Sequence, residues 1–160
     1  MEVQDLFLLG MKRSIPELLP IEGPGFNLGA GRAKLKDLEN LDRPNWNAEL
    51  YRIPADDSTQ KAVVAFHFLE HLHDQIRMLR ECQRVLQPGG VMHICVPHAM
   101  SMCAYQDLDH KRFFTEETFR NLFENPHYDT GGEWKLKVHC SFIIGVAARN
   151  LAVLAQLVRT

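Results

Sequence analysis

Four cysteines, Cys82, Cys95, Cys103 and Cys140, are scattered through the 160 residues without a single C-x-x-C pair. That spacing argues against a zinc site or a disulfide frame and for reduced thiols. Basic residues are not in excess: 18 Lys and Arg face 20 Asp and Glu, a formal charge of −2. Such a balance provides no polyanion-binding face, so nucleic acid is not an expected partner. Apolar runs stay well short of the ~20 residues that cross a bilayer. Met1-Glu2-Val3-Gln4-Asp5 lacks the basic stretch that opens a secretory signal. Repeats and low-complexity tracts are missing as well. These absences lead to the expectation of a cytoplasmic protein, a monomer or homodimer, without a membrane partner.

What is present is an ordinary globular composition, 46% hydrophobic and 24% charged, enough for one packed core. Residues 1–24 carry Pro16, Pro20 and Pro24 and read as a leader packing on the domain; residues 25–160 read as a single domain. Residues 25–29 and 38–42 predict two strands. Lys61–Phe66 and Val91–Val96 are continuous apolar runs, the mark of parallel strands covered on both faces. Between them the chain predicts a helix capped by Asp74, with Ile76, Leu79, Cys82 and Leu86 on one stripe, stopped by Pro88-Gly89-Gly90. A second helix starts at Thr115 and buries Phe119, Leu122 and Phe123. Residues 135–147 and 150–158 predict a closing antiparallel hairpin. The expected class is α/β, with a mostly parallel sheet and an antiparallel C-terminal hairpin.

The most informative stretch is Phe26-Asn27-Leu28-Gly29-Ala30-Gly31. An apolar strand ends in two glycines separated by one small residue, the form of a turn whose backbone approaches a ligand. A dinucleotide site needs a third glycine and an acid about 20 residues onward. Here Lys34 occupies the third position and Asp42 follows Gly31 by eleven residues. No complete helix fits that gap, so a nicotinamide cofactor is disfavoured.

The ordered motifs instead resemble the class I S-adenosylmethionine-dependent methyltransferases, especially the type 11 branch. Asn27-Leu28-Gly29-Ala30-Gly31 matches the family's first motif. Asn40-Leu41-Asp42 matches the end of its second strand, and Glu49–Pro54 looks like the segment that follows. His67-Phe68-Leu69-Glu70-His71-Leu72 resembles the h-x-L-E-H-L element, and Arg84–Gly90 then Val96-Pro97-His98 complete the series. The resemblance implies a Rossmann-like three-layer sandwich and S-adenosyl-L-methionine as cofactor. It places Asn27, Gly29, Ala30, Gly31, Asp42, Glu49, His67 and Leu69 around that cofactor, with Asp42 on the ribose diol and Glu49 near the adenine amine. Three departures stand out: the first crossover is cut to a loop, Asn27 replaces the commoner aspartate, and Lys61 replaces an aspartate at the head of a strand.

The implied function is methyl transfer to a small-molecule acceptor by in-line displacement, which asks the protein to align donor and acceptor and exclude water. An alternative is a degenerate binding or scaffold module without turnover. His98, after a strand, and His110, in the loop expected to cover the pocket, are the candidate bases or acceptor-positioning groups. Met100, Met102 and Tyr105 in the same loop hint at an apolar or aromatic acceptor. His67 and His71 would share a helix face beside Glu70, but that spacing is unspecific; a bracing role is preferred and no metal is expected.

Overall fold

The computed structural model describes residues 19–144 and 149–160, with side chains outside 140–150. Most of the leader expected over residues 1–24, and the Cys140 thiol, therefore lie outside the described residues. Among the described residues six strands form one sheet: β1 (Gly25–Leu28), β2 (Glu39–Leu41), β3 (Gln60–Phe66), β4 (Leu86–Pro97), β5 (Trp134–Ile144) and β6 (Arg149–Arg159). Their spatial order is β2-β1-β3-β4-β6-β5. β1 is parallel to β2 and β3, and β3 is parallel to β4; β6 runs antiparallel to both β4 and β5. This is the expected mixed α/β sheet with its antiparallel hairpin.

The strand sequences explain their position. In β3, Val63 and Ala65 join one core while Ala62, Val64 and Phe66 join a core on the opposite face. Both faces are dry, which suits a run of apolar residues without alternation. The first face receives helices α1 (Gln75–Val85) and α3 (Glu116–Glu124); a short helix, α2 (Cys103–Gln106), lies between them in the chain. The second face receives Ile21, Leu35 and Leu38.

Asp74 caps α1 by accepting the Arg77 N–H at 2.9 Å. The buried apolar residues of the helix are Met78, Leu79, Cys82 and Val85, while Ile76 is only half-buried. Each large apolar side chain so enclosed contributes about 1.5–3 kcal/mol. Leu86 and Pro88-Gly89-Gly90 do not end the helix as loop residues; they already open β4, and Gly89 takes a φ of +80° there. Thr115 caps α3 in a reciprocal pair with Thr118, and Phe119 is its fully buried residue.

The first crossover, residues 29–38, contains no helix. Two asparagines hold it instead. Asn27 Nδ2 donates to Ala33 O at 2.8 Å and to Asn40 Oδ1 at 2.9 Å. Asn40 in turn accepts the Leu35 N–H and donates to the Leu35 and Leu38 carbonyls. The next loop is strapped to α1 by Arg84, whose guanidinium donates to Ile53 O and Ala55 O while pairing with Glu81.

Candidate active site

Strand order reverses between β1 and β3: the chain leaves β1 for β2 on one side and continues from β3 to β4 on the other. Ligands of open α/β sheets sit beyond the carboxyl ends of the strands at such a switch point. Gly29 follows β1 there and His67 follows β3. Both have left-handed backbones, with φ of +62° and +51°. That conformation is ordinary for glycine and strained for histidine.

A cavity of about 270 Å³ opens at this point, lined among others by Gly29, Asp42, Trp46, Glu49, His67 and Phe68. Asp42 Oδ2 accepts the Gly31 N–H at 2.6 Å and Oδ1 accepts the Arg43 N–H at 2.8 Å. Each oxygen keeps lone-pair capacity for a further donor. Gly29 N donates to Leu41 O at 2.9 Å, fastening the turn to β2. A Cβ on Gly29 would stand 2.4 Å from Phe68 Cδ2. The glycine is thus required by the Phe68 ring as well as by its φ. Gly31 also has a positive φ, +47°, but its nearest neighbour across the turn is 3.9 Å away. The Trp46 and Phe68 rings lie 6.3 Å apart, and Trp46 Nε1 is satisfied by Arg52 O at 2.9 Å. Glu49 accepts the His73 N–H at 2.7 Å.

A second cavity, about 620 Å³, lies beside the first and is lined by His67, Pro97, Cys103, Gln106, Asp107, Leu108 and His110. Among the described residues, His67 alone lines both. Its Nδ1 is 3.2 Å from Oε1 of Glu70, a carboxylate that is almost wholly buried. Burial works against a charged His67, but hydrogen bonds to Cys95 and Glu70 outweigh it and push the imidazole up to about 10. A buried carboxylate needs such a counter-charge. His110 Nδ1 lies 3.0 Å from Ala104 O, a geometry in which Nδ1–H donates to the carbonyl, and Nε2 lies 4.0 Å from Asp107 Oδ2. His71 Nδ1 is 3.4 Å from Asp109 Oδ2, and its ring meets that of His110 edge-on at 4.7 Å. Among the described residues, Glu70, His71 and His110 place one ligand atom each within 4.8 Å of one another and could hold a metal ion.

The fold brings Gly29, Asp42, Glu49 and His67 to one cavity, with Gly31 bonded to Asp42, and sets His110 in the adjoining one. Asn27, Ala30 and Leu69 are buried and line neither cavity. Asn27 instead staples the first crossover, and Leu69 belongs to the core. His98 is buried too, and lines neither cavity. Its Nδ1 accepts the Met100 N–H at 3.0 Å, and Nε2 faces Glu116 Oε2 at 3.4 Å. Trp46 and Phe68 were not expected among the site residues, yet both line the smaller cavity. Trp46 left a signal, being the one aromatic in a polar stretch soon after Asp42. Lys61 is at the amino end of β3, away from the cavities at the carboxyl end.

Residues 30–94 match a family model described as a methyltransferase domain. A Mycolicibacterium smegmatis protein named as a probable S-adenosylmethionine-dependent methyltransferase is 35% identical over 71 residues, 44% of this chain and 28% of its own. An uncharacterised methyltransferase of Schizosaccharomyces pombe is 26% identical over 125 residues, 71% of this chain and 44% of its own. The chain thus spans less than half the length of either relative. A Thermotoga maritima structure, described as a methyltransferase and possible histamine N-methyltransferase, superposes with a TM-score of 0.65 at 19% identity, covering 99% of this chain and 91% of its own. Over residues 30–94 the chain is similar to the methyltransferase domain family, and its fold is that of solved S-adenosylmethionine-dependent methyltransferase structures.

Proposed function

We propose that this domain binds S-adenosylmethionine in the smaller cavity and transfers its methyl group to a small-molecule acceptor in the larger one. The observation that carries the reading is His67, which lines both cavities at the switch point of the sheet. The residues of the smaller cavity fit the cofactor. Asp42 retains acceptor capacity for a diol, Gly29 presents bare backbone, and Trp46 and Phe68 offer apolar walls. When bound, the cofactor supplies an electrophilic methyl on a sulfonium sulfur.

The protein's work is then alignment and proton handling. Asp42 and Glu49 fix one partner through rigid backbone-anchored carboxylates, and His67 sets the seam between the partners. His110 Nε2 takes the proton from an acceptor that must lose one, its tautomer held by Ala104 O. Near-attack alignment of this kind contributes several kcal/mol to a bimolecular transfer.

Calorimetry with S-adenosylhomocysteine tests the cofactor half. Saturable binding is expected, weakened in Asp42→Ala and lost in Gly29→Val; no binding of either S-adenosylmethionine or its demethylated product overturns the proposal. Incubation with labelled S-adenosylmethionine and a metabolite extract tests turnover, with a methylated small molecule as the expected product. Cofactor binding with no product favours the alternative of a binding module, which the helix-free first crossover also suits.

A further inference from the structure

Nine large hydrophobic side chains are exposed among the described residues, and five of them fall within residues 100–113. Met100 is 85% exposed, Met102 72%, Tyr105 58%, Leu108 99% and Phe113 46%. Single exposed apolar residues are normal, but such clustering marks a surface with something to cover it. The same segment supplies Cys103, Gln106, Asp107, Leu108 and His110 to the wall of the larger cavity.

This exposure does not come from a loosely tethered loop. Ala99 N donates to Phe114 O at 2.7 Å, Lys111 N donates to Glu70 O at 2.7 Å, and Tyr105 stacks on Phe113 at 4.7 Å. The apolar side chains are therefore held outward, and Leu108 among them lines the larger cavity together with the polar groups of His67, Gln106, Asp107 and His110. We infer that the acceptor is an amphipathic small molecule, its protic head between His67 and His110 and its apolar body on the Met100–Phe113 segment. The inference rests on the function proposed above for the role of the larger cavity.

Charge separates this occupant from an anionic membrane. Residues 99–114 carry Asp107 and Asp109 against Lys111 and Arg112, so the segment has no net positive charge to draw it to acidic lipids. The exposed methionines suit an apolar body of variable shape, because an unbranched thioether adapts its contacts.

A homologous series of n-alkyl 4-hydroxybenzoates, methyl to octyl, tests this by calorimetry on the protein saturated with S-adenosylhomocysteine. Affinity should rise roughly two- to fourfold per added methylene, the upper figure being full burial of each group. Leu108→Ser and Met100→Ser, both at exposed positions outside the smaller cavity, should flatten that slope without changing affinity for S-adenosylhomocysteine. A flat series on the native protein overturns the inference, and so does a slope that both variants keep. If S-adenosylhomocysteine fails to bind, the same series run on the protein alone still decides the acceptor question, while the cofactor proposal falls by itself.

Discussion

The Asp42 carboxylate accepts the backbone N–H of Gly31 at 2.6 Å, tying the end of β2 to the glycine turn that leaves β1. One side chain thus shapes the turn and faces the cavity. Asp42→Ala removes both roles. Hydrogen bonds to charged groups contribute about 1.5–3 kcal/mol, so affinity for S-adenosylhomocysteine should fall roughly ten- to a hundredfold in calorimetry. Asp42→Asn keeps one acceptor oxygen and should lose less. Equal affinity in the native protein and Asp42→Ala would falsify the ribose-side assignment.

Gly29 and Gly31 differ in what surrounds them, and substitution should expose the difference. Alanine at 29 brings a Cβ to 2.4 Å from the Phe68 ring at a φ of +62°. Overpacking and backbone strain together should cost about 2–4 kcal/mol in urea unfolding. Alanine at 31 has room and meets only the positive φ, about 1 kcal/mol. Adding Phe68→Ala to Gly29→Ala should recover part of the loss. Equal destabilisation by the two single variants would contradict the packing argument.

Much of this was readable in the chain because the signals were local. The apolar runs of β3 and β4, the Asp74 and Thr115 caps and the Gly29–Gly31 turn each depend on neighbours in sequence. The placement of His98 was not, because nothing local says that β4 ends beneath α3, where Glu116 meets the ring. The stapling role of Asn27 was hidden for a related reason. Its partner Asn40 is thirteen residues away across a parallel strand pair, and a helix-free crossover gives no periodic pattern to announce it. Phe68 escaped because its role is to sit on Gly29, a contact between two different strand ends.

His98 fastens the start of the 99–114 segment to its end. The ring accepts from Met100 N and approaches Glu116, while its backbone pairs with Phe114. His98→Ala should speed hydrogen exchange at the Met100 amide and raise KM for the acceptor, with binding of S-adenosylhomocysteine unchanged. His98→Asn restores an acceptor near the Nδ1 position and should recover much of the protection. Unchanged exchange at Met100 in His98→Ala would show that the ring does not hold the segment.

His93 provides the clearest pH dependence. It lies in β4 between Val64 of β3 and Gln156 of β6, fully buried, and neither ring nitrogen has a hydrogen-bond partner among the described residues. Burial alone pushes its imidazole down from 6.5 to about 4. The unfolded chain therefore takes up this proton before the folded one does. The neutral ring's contribution is fully present above pH 6.5 and is lost as pH falls towards 4. A shift of that size corresponds to roughly 3 kcal/mol over the interval. His93→Leu removes the titration at similar volume, so its urea stability should fall less than the native protein's between pH 7 and pH 4.5. Parallel stability curves for the two proteins would mean that the His93 ring is hydrated or paired, and that β4 is not sealed on this face.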